Sequence, residues 1–313
     1  MMTGHSILWL AIAFLGLGLR AKAQVTYVGA DDADAFLATG STNNPAGADL
    51  TGLNFGAAGM LVVAPAASGE GEFQSILKFN LAAAVGLFNT NYGAGNWSVS
   101  ALSLTLTGNY GIAGVQPNNA IFPVVQGGQF VIEWLANDDW LEGSGTPRLP
   151  TTDGVTYDSL PDLLSGTHAI LATNLYTPPG NNVPVTYSLP LASNLLANVA
   201  AGGDVTFLLY AADNVVGYLF NSWNYGNGNQ PLITVTATLN ALAPKILSGT
   251  FANRRFSLNG LGNPNVVYQI QATTNLAKMS WQSIGTATAD GGGNILFDDL
   301  NATNGQRFYR LSQ

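Results

Sequence analysis

The sequence predicts an all-β protein, a jelly-roll-like β-sandwich followed by a smaller β-sandwich-like domain, and three observations carry that expectation. The 313 residues include 37 Gly and 14 Pro, the residues that supply or fix turn geometry, in numbers suited to many short strands. Several segments alternate apolar with hydroxyl side chains at the period of a half-buried strand. Only 9% of residues are charged while 47% are hydrophobic, against roughly 25% charged in an ordinary globular chain. The protein is poor in charge and rich in core, and long helices are largely ruled out.

At the N-terminus, the 13 residues Ile7–Leu19 are uncharged and apolar, too short for the ~20 residues of a membrane-spanning helix. They suit the apolar stretch of a signal peptide, and Ala21-Lys22-Ala23 supplies the small-x-small cleavage pattern. Residues 1–23 are therefore read as a signal peptide, with the mature chain beginning at Gln24 and secreted or held at the cell surface. Losing Arg20 and Lys22 leaves eight basic and 18 acidic side chains, a net charge of −10. Nothing basic remains to neutralise phosphates, which excludes nucleic acid as a partner. No later apolar run reaches membrane-spanning length, so no span is expected in the mature chain. There is no Cys, so stability must come from core burial and bound ions rather than disulfides.

Residues 24–242 read as strand after strand. The clearest are Met60–Ala64, Ser75–Leu81 and Val99–Gly108; in the last, Leu102, Leu104 and Leu106 alternate with Ser103, Thr105 and Thr107. Gln129–Leu135, Val183–Pro190, Val205–Ala211 and Leu232–Leu239 follow the same pattern. Helix is expected only as a single turn around Asp162–Leu164 and a short segment Ala192–Ala200 capped near Ser193. At Asn240–Pro244 the periodicity breaks, and residues 243–313 are assigned to a second unit. Its strands are Arg255–Leu258, Val266–Thr273, Trp281–Thr288, Ile295–Phe297 and Phe308–Leu311, with a turn at Asp290–Asn294.

Catalytic chemistry is largely excluded by composition. With His5 in the signal peptide, His168, placed in a loop, is the one histidine left, and there is no Cys and no G-x-S-x-G elbow. Zinc sites want several His or Cys ligands. Glycoside hydrolysis needs only two suitably spaced carboxylates, and the glutamates Glu70, Glu72, Glu133 and Glu142 leave that route formally open. Glu142 reads more simply as a structural hydrogen-bond acceptor.

Two clusters invite a binding role. Asp31, Asp32 and Asp34 offer hard oxygen ligands, and Asp32 and Asp34 share a face if the segment is extended, so calcium is the plausible ion. The Gly-rich segment 221–229 interleaves Asn221, Trp223, Asn224 and Tyr225, rings to stack on sugar faces with amides to bond hydroxyls. Trp97 and Tyr110, each near Asn and Gly, would add platforms. Trp134, Trp140 and Trp281 are assigned to cores.

The order of motifs in residues 24–240 resembles the DNRLRE-domain family, secreted β-sandwiches related to carbohydrate-binding modules. The likeness rests on Asp31–Phe36 with Asn54-Phe55-Gly56 and Leu61-Val62-Val63, on Ile76–Leu81, on Val99–Leu104, on Asp139–Glu142, and on Phe220–Trp223 with Pro231-Leu232-Ile233. Lys78 and Asn80 stand where that family usually has arginine and aspartate. The last 70 or so residues resemble a C-terminal β module appended to exported bacterial proteins. The resemblance implies a jelly-roll fold, sugar binding without catalysis, a structural calcium ion, and a C-terminal module for surface retention or spacing. The expected partner is an extracellular polysaccharide, possible further contacts being cell-envelope components. The rival readings are a structural envelope or matrix protein without specific sugar binding and, less favoured, a polysaccharide lyase or hydrolase.

Overall fold

The computed structural model describes residues 24–41, 48–109, 122–226, 228–240, 242–278, 280–302 and 306–312. Residues 1–23, expected to be a signal peptide, and Tyr110 lie outside them. The described residues form an all-β sandwich-type protein with antiparallel sheets and three short α-helices.

Two sheets make the larger sandwich. The first orders the strands Gln24–Ala30, Leu232–Leu239, Trp97–Thr107 and Pro184–Leu189, and the second Ala33–Ala38, Phe73–Asn80, Asp204–Ala211, Gly128–Leu135 and His168–Tyr176. The alternation read in the sequence is the alternation observed. Leu102, Leu104 and Leu106 point into the core with Ile233, Val235 and Ala237, while Thr105 and Thr186 face outward and share a hydrogen bond of 2.8 Å.

The second sheet is buried on both faces except at its edge strand His168–Tyr176, where Ile170 and Leu175 are exposed. Phe36, Leu77, Phe207 and Leu209 enter the core between the sheets, whereas Ala35, Leu37, Ile76 and Leu208 pack outward against Trp140, Val155, Leu160 and Leu163. A strand covered on both sides reads as a continuous apolar run, since successive side chains alternate between two buried environments. The outer cover is the irregular segment 136–165, whose α-helical turn, Leu160–Leu163, overlaps the single turn expected at Asp162–Leu164. A two-stranded pair, Met60–Val63 with Tyr218–Asn221, closes one end.

Several expectations change here. The helix Ala82–Tyr92 is one that the sequence hid: it has no side-chain cap and little amphipathic periodicity, and Gly86 weakens its helix propensity. Tertiary packing of Ala84, Phe88 and Tyr92 holds it. The helix Ser193–Ala201 forms without a capping side-chain bond. His168 begins a strand rather than sitting in a loop, and its Nδ1 lies 2.6 Å from Glu133 Oε1. Trp134 and Trp140 are core residues, but Trp281 is half-buried beneath the Arg310 guanidinium, 4.5 Å from the ring centre.

Among the described residues, the strands beyond residue 244 pair only with one another. Lys245–Ala252, Arg255–Leu261 and Asn294–Asp299 form one three-stranded sheet, and Gln282–Thr288, Val267–Thr273 and Phe308–Ser312 form another. The expected turn is held by Asp290, whose Oδ1 accepts the backbone N–H groups of Gly292 and Asn294 at 2.9 and 2.8 Å. Asn263 ties the unit to the connecting segment: its side chain donates to the Asn240 carbonyl and accepts from the Leu242 N–H.

Candidate functional site

Strand Tyr218–Asn221 runs directly into a 3-10 turn, Trp223–Tyr225, that ends where Gly226 takes φ of +72°. That left-handed value suits a residue with no Cβ. The turn is pinned from below. The Ser222 hydroxyl donates to the Ala58 carbonyl, the Trp223 N–H donates to Asp34 Oδ2 at 2.6 Å, and Asn224 Nδ2 donates to the Gly56 carbonyl at 3.1 Å. Held this way, Trp223 and Tyr225 keep 50% and 40% of their surface in solvent. Large aromatic rings bury surface when they can, so two anchored and exposed rings in one turn stand out.

The turn's polar neighbour is Glu142. Its Oε1 accepts from Asn224 Nδ2 at 2.7 Å. The sequence reading of Glu142 as an acceptor did not foresee that its donor would be a member of the aromatic loop. Asn54, fully buried, brings the two segments together: its Nδ2 donates to the carbonyls of Glu142 and Val155 at 2.6 and 2.8 Å, and its Oδ1 accepts from the N–H groups of Gly56 and Gly145 at 3.1 and 3.0 Å. A Cβ at Gly56 would stand 2.0 Å from the Glu142 carbonyl oxygen, so the two loops can meet this closely only because that position is glycine. The amide's role was not legible from the motif Asn54-Phe55-Gly56, because one amide serving two distant loops leaves no local pattern.

Beneath the turn lie Asp31 and Asp34, 1% and 0% exposed. Asp34 shares the inward face of its strand with Phe36. Burial pushes both carboxyl groups above the usual carboxylate range, and for Asp31 the neighbouring Asp34 carboxyl adds to the effect through hydrogen bonding and charge. Glu142 is pushed up to about 7, first by burial and then by the charge of Asp34. Three carboxyl groups therefore crowd one region.

Asp32 does not join them. The chain bends there, so extended alternation does not apply; its side chain is exposed and its Oδ2 accepts the Asn80 N–H at 2.6 Å. Asp31, not Asp32, turns inward with Asp34. Among the described residues no cluster of three or more His, Cys, Asp or Glu is arranged around a metal position. The buried oxygens of Asp31 and Asp34 could nonetheless act as hard ligands together with amide or carbonyl oxygens, the donor mixture calcium takes. Asn221 is fully buried beside the turn, with Nδ2 donating to the Asn229 carbonyl at 3.4 Å.

Trp97 sits elsewhere. Its ring packs 5.0 Å from that of Phe88, and its Nε1 donates to Asn89 Oδ1 at 2.8 Å, so it serves the helix Ala82–Tyr92. Of the expected aromatic platforms, the structure brings together Trp223 and Tyr225 and leaves Trp97 out.

No family model matches the chain, and no curated protein matches its sequence. Among solved structures, it is similar to a GH2 β-galacturonidase from Eisenbergiella tayi bound to glycerol, with a TM-score of 0.21 and 5% identity over 89% of this chain and 36% of that one. It is also similar to a β-glucuronidase of Lactobacillus rhamnosus (TM-score 0.23, 11% identity, 87% of this chain and 38% of that one) and to one of Ruminococcus gnavus (TM-score 0.22, 7% identity, 89% and 40%). The chain spans less than half the length of each. Overlaps this loose fix neither fold nor activity.

Proposed function

We propose that the protein is an exported, non-catalytic carbohydrate binder that holds an extracellular polysaccharide on the Trp223 turn. The observation that carries this reading is the pair of exposed rings, Trp223 and Tyr225, on a turn fixed by Asp34, Ser222 and Asn224. Sugar rings stack their C–H faces on such surfaces, and a preformed platform loses less freedom on binding. Asn224 and Glu142 stand at its rim to meet hydroxyls.

Rings and amides in one turn are groups that hold a sugar rather than cleave it, and they support binding without catalysis. Hydrolysis of a glycoside requires two carboxyl groups flanking the bond. Asp31 and Asp34 are sealed beneath the turn, so neither is placed to flank a bond in a ligand on the platform. The C-terminal unit is the retention or spacing module in this reading.

Affinity electrophoresis or pull-down against a panel of soluble and insoluble polysaccharides tests it. Trp223→Ala is expected to abolish retention, Tyr225→Ala to weaken it, and Trp97→Ala to leave it intact. Retention that survives Trp223→Ala, or failure of every polysaccharide to be retained, would overturn the proposal. Release of sugar products would revive the enzyme.

A further inference from the structure

Four buried side-chain oxygens around the Trp223 turn have no hydrogen-bond donor: both of Asp31, Oδ1 of Asp34 and Oδ1 of Asn221. More than 90% of buried polar groups in native proteins are paired, and exceptions call for a specific cause such as an ion. The three residues come from distant parts of the chain yet are tied to one place. Asp34 Oδ2 accepts the Trp223 N–H, two residues after Asn221; the Asn221 amide donates to the Asn229 carbonyl; and the Asp31 N–H donates to the Pro231 carbonyl at 3.2 Å, two residues further on.

A proton shared between the two aspartates would relieve their repulsion but would not satisfy the set. It would join one oxygen of Asp31 to Asp34 Oδ1, leaving the other Asp31 oxygen and Asn221 Oδ1 without a partner. One cation lying among them would give all four a partner. The donors are hard oxygens, two carboxylates and an amide, with no nitrogen or sulfur among them, which matches calcium and not zinc. The remaining ligands of a six- to eight-coordinate ion would be carbonyls or water.

We propose that Asp31, Asp34 and Asn221 together bind one calcium-like cation, and that this ion holds the Trp223 turn in its ligand-facing position. The second half rests on the reading of that turn as the sugar platform. Its logic is mechanical: Asn221 ends the strand that becomes the turn, and Asp34 grips the turn by the Trp223 N–H, so an ion drawing on both fixes where the rings stand. Asp32, bonded to Asn80, takes no part.

Calcium chloride titrated into the chelator-treated mature chain tests the inference without any glycan. Isothermal titration should show one equivalent bound, with melting raised by roughly 5 °C at a hundredfold excess over Kd. Tryptophan emission should change in step, and the change should be lost in Trp223→Phe. Asp32→Asn should bind as the wild type does. Asp31→Asn should reverse sign: it melts above the wild type in chelator, where a buried repulsion has been removed, and below it in calcium. Asn221→Asp keeps an acceptor for the ion but loses the amide's bond to the Asn229 carbonyl, so it should melt below the wild type in chelator and still take up calcium.

No calcium uptake, or uptake unaltered by Asp31→Asn, would overturn the site. So would a folded Asn221→Asp chain that takes up no calcium, since a carboxylate there would be no poorer a ligand than the amide oxygen. Uptake with no signal from Trp223 would overturn the coupling. Because these readouts need no sugar, failure here is separable from failure of polysaccharide retention, which Trp223→Ala measures at saturating calcium.

Discussion

The two β units of this protein follow one strand logic but differ in what covers their sheets. In the larger sandwich the strands Ala33–Ala38, Phe73–Asn80 and Asp204–Ala211 are covered on both faces, with Phe36, Phe207 and Leu209 on one side and Ile76 and Leu208 under Trp140 on the other. In the C-terminal unit the buried apolar cluster is Tyr268, Ala289 and Ile295, and the strand Lys245–Ala252 is exposed along its whole length, Phe251 at 63%. The difference teaches that a large dry interior is what permits unpartnered carboxyl groups. No protein donor reaches either oxygen of Asp31, whereas the buried carboxylate of the small unit, Asp299, is met by Tyr309 and Arg307 at 3.0 and 3.3 Å, and Asp290 and Asp298 lie at the surface and are held below the usual carboxylate range by nearby donors.

The sharpest way to test this contrast is to empty the larger core. Phe207→Ala should cost ~3–5 kcal/mol, the range for deleting a buried ring, measured by denaturant unfolding; a loss near that of an exposed substitution would mean the core is not as closed as described. Asn54→Ala comes next, at roughly 2–4 kcal/mol, because it strands buried N–H and C=O groups of two loops, and it should also impair retention of polysaccharide. In the small unit, Tyr268→Phe leaves the Asn263 N–H without its 2.7 Å acceptor and should cost ~1–3 kcal/mol, read from that unit's own transition.

Smaller still is the effect of acid on the C-terminal unit. The folded pKa values of Asp290 and Asp298 lie below the ordinary 3.8, lowered chiefly by hydrogen bonds from Asn294 and Arg255 respectively. The folded state therefore binds fewer protons than the unfolded one in this range. The stability these bonds add is present above the unfolded value and is lost as pH falls through the folded one. Melting of this unit should decline on acidification, and Asp298→Asn should lessen the decline. Leu247→Ser, on the exposed strand, should change stability by less than ~0.5 kcal/mol.

Much of the architecture was readable because strand faces write their burial into the sequence. Leu232–Leu239 was placed to the residue, and Val99–Gly108 differs from the observed Trp97–Thr107 only at its ends. The helix Ala82–Tyr92 and the strand Lys245–Ala252 were missed for one reason: neither shows a clean period, the first lying in contact with other elements and the second covered on no face. The site was half legible. Local grouping singled out Trp223, Tyr225 and Asn224 as candidates, and rings and amides adjacent in sequence remain adjacent in a tight turn. It misjudged Asp32, since a single bend reverses which of two neighbours faces inward. It could not find Glu142 beside Asn224, a contact between residues 82 apart in sequence.

The Asn54 amide also divides what is fixed from what is free. It fastens the chain at Glu142, Gly145 and Val155, and between these anchors the segment closes on itself through reciprocal backbone bonds between Thr146 and Leu149 at 3.0 and 3.1 Å. Leu149 at its tip is 76% exposed. An engineer seeking a new recognition surface beside the aromatic turn would graft variety into residues 146–150 and spare the glycines at 143, 145 and 154, whose absent side chains let the amide reach its partners.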